Sequence, residues 1–132
     1  MDSDDLWGDL PDAETRVPVR LLADQADILG QKTGNILEAR VIPISFSSDN
    51  LAYELEIFAP VLDNYSITIL RIRHSIESYP VQVESIVGEK ARYEASNEAE
   101  FLDILRHILG SNETRRIIAS LIGQSNVTVR PI

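Results

Sequence analysis

The chain contains no cysteine. That removes disulfides, thiolate zinc sites and cysteine nucleophiles together, and it fits a reducing compartment. Histidine is nearly as scarce, with His74 and His107 the only two. A zinc or related site needs several convergent Cys, His or carboxylate ligands, so no metal and no cofactor is expected. The six glycines fall at candidate turns, helix ends or the N-terminal arm. None belongs to a phosphate loop or a dinucleotide fingerprint, and no His-Glu-x-x-His helix accompanies them. The Gly-x-Ser-x-Gly turn of the α/β-hydrolases is missing too. Long apolar runs are lacking: none approaches the ~20 residues that span a bilayer. Basic residues are few, twelve against twenty-one acids, for a net charge of −9. Phosphate neutralisation needs clustered Lys and Arg. Neither nucleic acid nor an anionic membrane is therefore an expected partner.

What is present begins with an acidic arm. Six acids and no base lie in residues 1–14: Asp2, Asp4, Asp5, Asp9, Asp12 and Glu14. The rest of the chain is nearly balanced, with fifteen acids and twelve bases. Residues 1–16 read as a disordered arm, rich in like charge and poor in apolar residues. Such a start is the opposite of a basic secretory n-region or an Arg-rich transit peptide, and the expected location is cytoplasmic. Leu6, Trp7 and Leu10 interrupt the acids, and Trp7 is the only tryptophan. Either the arm docks its Trp on the core, or it is an acidic-hydrophobic recognition motif.

Residues 17–132 are expected to form one domain. At 132 residues a chain buries roughly 70% of its unfolded surface, enough for a core without staples. A first helix is predicted from Pro18, which suits the N1 position. Val19, Leu22, Ala26 and Leu29 recur at helical spacing, widened by Leu21 and Ile28. Gly34 is its expected stop. Strands follow at about 36–46, 51–58, 66–74, 81–87 and 90–95. Pro43 places the first at an edge or a bulge. A second helix starts at Asn97, with Glu100 at capping-box spacing. Its apolar face is broad: Phe101, Leu102, Ile104, Leu105, Ile108 and Leu109. Gly110 ends it, Ser111 caps a third helix and Gly123 is that helix's expected end. Val127–Arg130 could add a terminal strand. Consecutive strands with short connections must pair antiparallel. The predicted fold is α+β: an antiparallel sheet of four to five strands, one N-terminal helix and a C-terminal helix pair, in two layers.

The hairpin at 51–74 carries the best functional clue. Centring its turn on Asp63-Asn64 pairs Glu54 with Arg73, Glu56 with Arg71, Tyr53 with His74 and Phe58 with Ile69, with no bulge. The matched charges then need no ligand. This register leaves an apolar outer face at the loop end. Phe58, Val61, Leu62, Tyr65, Ile67 and Ile69, with Trp7, form the candidate interaction patch. The expected function is non-catalytic protein–protein contact, through a homodimer or in the manner of an antitoxin or immunity protein facing a basic partner. The alternative is a small-molecule site or minor enzyme, with His74, Tyr53 and Tyr79 in a pocket between sheet and helix.

Overall fold

Three helices, five strands and the loops that join them occupy residues 18–128; the computed structural model describes residues 3–47 and 49–128. Helix α1 runs Pro18–Lys32 with proline in its first turn. It ends in a Schellman arrangement: Asn35 N–H donates to Gly30 O at 2.8 Å and Gly34 N–H to Gln31 O at 3.3 Å. Gly34 sits at φ +60°, where a glycine carries no Cβ penalty. The Thr33 hydroxyl then ties the exit of the helix to the chain ahead of the sheet, donating to Leu37 O at 2.9 Å.

Five strands follow: β1 (Glu38–Ser47), β2 (Asn50–Ala59), β3 (Tyr65–His74), β4 (Val81–Ser85) and β5 (Arg92–Ala95). Their spatial order is their chain order, and every neighbouring pair is antiparallel. This is the predicted α+β layout. Strand β1 is an edge strand with a register shift between Pro43 and Ser45, where proline's missing N–H is tolerated. Strands β4 and β5 are two residues shorter than predicted at Ser85 and Arg92 respectively.

Helix α2 (Glu98–Leu109) is capped as its sequence predicts, Asn97 Oδ1 accepting from Glu100 N–H at 2.9 Å. The Glu100 carboxylate reaches back to Ser96 N–H at 2.7 Å, one residue beyond the capping-box position. Helix α3 (Asn112–Thr128) follows almost at once. Thr114 locks this corner: its hydroxyl donates to Ile108 O at 2.8 Å, and its N–H to Ser111 Oγ at 3.3 Å. Gly123 does not end α3. The buried stripe of Thr114 and Leu121 continues to Ser125, and that packing holds the helix through the glycine. Val127 and Thr128 are thus helical rather than a terminal strand; Val129 and Arg130 lie outside the described residues.

The helices cover one face of the sheet. Leu55 and Ile57 of β2, Leu70 and Ile72 of β3, and Val81 and Val83 of β4 meet Leu22, Phe101, Leu105, Ile108 and Leu121 in a single buried core. The other face is charged. Arg71 Nη2 lies 2.5 Å from Glu54 Oε2, and Arg40 Nε 2.7 Å from Glu56 Oε1. Arg40 also lies over the Phe58 ring, 4.4 Å from its centroid.

The β2–β3 register differs from the predicted one. Ala59 faces Tyr65 and Leu55 faces Leu70, with a register shift between Leu55 and Glu56 that leaves Ile69 as an extra residue on β3. Glu54 therefore faces Arg71, Ala52 faces Arg73, Phe58 faces Ser66 and Leu51 faces His74. Two causes act together. Pro60 starts a short 3-10 turn, Pro60–Leu62, and Asp63 and Asn64 close it at φ 57° and 58°. The loop is thus asymmetric and the strand stops at Ala59. The bulge at Ile69 then lets Ile67, Ile69, Leu70 and Ile72 all turn to the core side, which a regular strand with side chains alternating between faces forbids.

Candidate functional site

The predicted patch at the hairpin end does not assemble on the outer face. Ile69 is completely buried in the core, and Ile67 packs half-buried against it. Phe58 lies on the opposite face beneath Arg40. Trp7 is remote from a docked position, 83% exposed, with Leu6 and Leu10 equally bare. The chain therefore does not bury its Trp on its own core. Leu62, Tyr65 and Ile67 do come together, lining one side of an open trough whose other side is α3, at Ile117 and Leu121. Helix α3 is the cover that the hairpin end acquires from within its own chain.

The three residues of the alternative pocket are only partly united. The Tyr53 and His74 rings stack with centroids 6.1 Å apart, and Phe46 meets Tyr53 edge-on at 5.6 Å. His74 Nδ1 lies 2.7 Å from Ser75 O. A carbonyl oxygen only accepts, so Nδ1 is the donor and the buried Nε2 has no partner. Tyr79 belongs to another environment. Its hydroxyl is buried and unpartnered. Burial first, and the Glu98 carboxylate second, push its pKa above the ordinary phenol value, against a lowering contribution from Arg16. Arg16 forms an ion pair with Glu98 at the base of the acidic arm. Glu77 is exposed and accepts nothing from either ring; its own N–H bonds the Ser75 hydroxyl.

The concavity richest in apolar lining lies between the sheet and the helices, where the alternative pocket was expected, but away from His74, Tyr53 and Tyr79. Helix α1 packs on β1 and β2, α2 on β4 and β5, and α3 beside α2 and the 3-10 turn. A groove of about 450 Å³ remains between them. Leu55 and Ile57 form its floor, and Ile28, Leu29, Leu102, Leu109 and Ile118 its walls. Lys32, Arg106 and Arg115 also line it, and all three are exposed at its mouth. Arg106 is paired with the exposed Asp103 at 2.7 Å, while Arg115 Nε donates to Gly110 O at 3.1 Å, satisfying a carbonyl at the end of α2. The groove is thus apolar within and cationic at its rim.

One sequence signal does point to it. An amphipathic helix needs an apolar stripe of only about 100° to dock on a core. Helix α2 buries Phe101, Leu105 and Ile108 and leaves Leu102, Ile104 and Leu109 half-buried. Helix α1 buries Leu21, Leu22 and Ala26 and leaves Ile28 40% exposed. Leu102 and Leu109 of α2 and Ile28 of α1 face the same space, while Ile104 lies outside it.

A smaller concavity of about 160 Å³ lies on the charged face, around Arg71, Arg73, Gln82 and Arg92. Glu54 holds Arg71, and Glu84 lies 3.7 Å from Arg92. Among the described residues Arg73 alone of these three has no ion pair. No group of three or more His, Asp or Glu among the described residues could hold a metal ion. No helix there is long and apolar enough to cross a membrane.

Comparison with protein-family models, with curated proteins and with solved structures found no match. The functional reading accordingly rests on the chain's own residues.

Proposed function

We propose that this protein is a protein-interaction domain whose working surface is the groove between α1, α2 and α3. The observation that carries this reading is the convergence of half-exposed Leu29, Leu102, Leu109 and Ile118, from three helices, on one trough. Contiguous apolar surface of this kind marks contact sites, and an amphipathic segment laid in a groove is a recurring mode of recognition. Lys32, Arg106 and Arg115 favour a segment that carries acids beside its apolar residues. The partner is a protein, or a second copy of the chain, rather than nucleic acid; the net charge of −9 supports this. A cytoplasmic location is part of the same proposal and is supported by the absence of cysteine.

The test is a titration of the isotope-labelled chain, followed by NMR, with two peptides. They share apolar residues and differ in flanking aspartates or lysines. The acidic peptide should shift the amides of Ile28, Leu102, Leu109 and Ile118, and the basic one should bind more weakly. If neither moves these amides at millimolar concentration, the groove is not a peptide site. A short fatty acid that saturates it while both peptides fail would make it a small-molecule site and overturn the proposal.

A further inference from the structure

We infer that the occupant of the groove is the acidic arm of a second copy of this chain, exchanged reciprocally in a symmetric dimer. The inference rests on the peptide-groove reading above and names its ligand. Three features of the arm match the groove. Leu6, Trp7 and Leu10 are the most exposed large apolar residues that precede α1, at 91%, 83% and 72%. Their spacing, i, i+1 and i+4, puts them on one side of a single helical turn. Around them stand Asp4, Asp5, Asp9 and Asp12, with no base before Arg16. An acid-flanked apolar anchor is the complement of an apolar trough with Lys32, Arg106 and Arg115 at its mouth.

In the isolated chain the segment is bent rather than helical, with Gly8 at φ +66°, so the turn would form on binding, from one contact already in place. Asp5 Oδ1 accepts from Trp7 N–H at 2.9 Å, the bond that an N-cap carboxylate makes to the second helical residue. Pro11 limits the turn, because the residue before a proline is biased away from helix. The recognition element is therefore short, with Trp7 at its centre.

Reach permits the exchange. Trp7 lies eleven positions before Pro18, and an extended chain spans up to about 3.3–3.6 Å per residue. That is on the order of 35–40 Å, enough to cross to a neighbouring molecule. Within one chain, residues 3–16 are all exposed and leave their own groove open. The Arg16–Glu98 ion pair roots the arm at the N-terminal end of α2, whereas Arg106 and Leu109 stand at the other end of that helix. Reciprocal insertion fills two grooves with two arms through one two-fold axis, a closed assembly.

Because Trp7 is the only tryptophan, its fluorescence reports on the arm alone. The experiment follows its emission across a dilution series of the full chain, with sedimentation velocity on the same samples. The expected result is a dimer at high concentration with Trp7 emission moved to shorter wavelength, both reversed together on dilution and by added salt. Trp7→Ala should weaken the dimer about 30-fold or more, the loss typical of a central aromatic anchor. Ile28→Glu, in the groove wall, should abolish it. The paired reversals Lys32→Glu and Arg115→Glu, both in exposed residues, should weaken it without disturbing the core, and they decide the matter if Ile28→Glu fails to fold.

A monomer whose Trp7 is shielded at every concentration places the arm in its own groove and overturns the exchange. So does a dimer whose Trp7 stays in water, which must use another surface. A monomer with exposed Trp7 overturns it as well. Adding the acidic peptide to the Trp7→Ala chain separates the two readings. Peptide shifts in the groove without self-association leave the interaction domain standing and remove only the arm as its ligand. The absence of both removes the two together.

Discussion

Replacing Ile69 by alanine is the sharpest test of how this hairpin is built. In a regular β2–β3 ladder Ile69 would stand opposite Phe58 on the outer face, and its loss would cost little. In the bulged ladder it is the extra, unpaired residue beside Leu70 and is completely buried. The substitution removes three carbon atoms from a closed core, at about 0.8 kcal/mol each for transfer. The cavity left behind adds to this, and large-to-small core changes of this kind cost about 2–5 kcal/mol. We expect about 3 kcal/mol, a large share of the ~5–15 kcal/mol that holds a domain together. Phe58→Ala is the matched control. Its ring lies half-buried on the outer face under Arg40, and its truncation should cost about 1 kcal/mol, largely from the lost cation–ring contact and shielded area. Urea denaturation of the wild type and both variants supplies the numbers, with unchanged slopes confirming that the transition stays two-state. If Ile69→Ala lies within 1 kcal/mol of wild type while Phe58→Ala costs more, the bulge and the register are wrong.

Two other changes probe the helices and the buried tyrosine. Gly123→Ala should stabilise the protein by about 0.5–1 kcal/mol, because a Cβ at this point inside α3 meets nothing within 4 Å; a destabilised variant in thermal melts would show that α3 does not run through Gly123. Tyr79→Phe should be neutral or stabilising by about 1 kcal/mol at neutral pH, since the buried hydroxyl it removes has no partner. The sign of its pH dependence is set by burial. The folded pKa of Tyr79 lies above the ordinary value of 10.0, so the folded state holds the phenol proton more tightly. The associated stability is complete below pH 10.0 and is lost as pH rises through the raised folded value. Denaturant midpoints measured up to that range should fall less for Tyr79→Phe than for wild type, and equal slopes would refute the raised value.

The parts of this fold that were legible in sequence are those decided locally. Asn97 and Glu100 mark the start of α2 because a cap is read over four residues. Gly34 marks the end of α1 because a left-handed residue there admits glycine most easily. The meander was legible because short connections leave antiparallel pairing as the only choice. The register was not, because it depends on backbone geometry in the loop. A proline that opens a 3-10 turn and two left-handed residues that close it shift the pairing without altering any alternation upstream. The sequence did show the symptom: Ile67 and Ile69 share a parity that Leu70 and Ile72 break. Resolving that break by charge matching moved Arg71 to Glu56 when its partner is Glu54. Charges on an outer face are adaptable, and Glu56 finds Arg40 across the other ladder. The core requirement of Ile69 and Leu70 is the stronger constraint, and it decides the register.

The same ordering of constraints explains why the candidate surface moved from the hairpin to the helices. At the loop end every apolar residue that can reach the core does so, Ile69 fully and Ile67 in part, and α3 closes over Leu62. The fully buried contribution of α2 is Phe101, Leu105 and Ile108. Leu102 and Leu109 pack only partly against that core, and half-exposed leucines in water contribute less stability while raising the tendency to associate. A charged replacement at either position would have kept the helix and improved solubility, as Asp103 and His107 do outside the groove on the same helix. Leucine at both, across from Leu29 and Ile28 of α1 and Ile118 of α3, leaves apolar area that an occupant of the groove would bury, which supports the proposed reading. The acidic arm shows the same imbalance from the other side: Leu6, Trp7 and Leu10 stand bare in a segment whose remaining residues are mostly acids. Two unsatisfied apolar surfaces of opposite surrounding charge in one molecule are a self-complementary pair, and self-complementarity is the requirement a two-fold interface imposes.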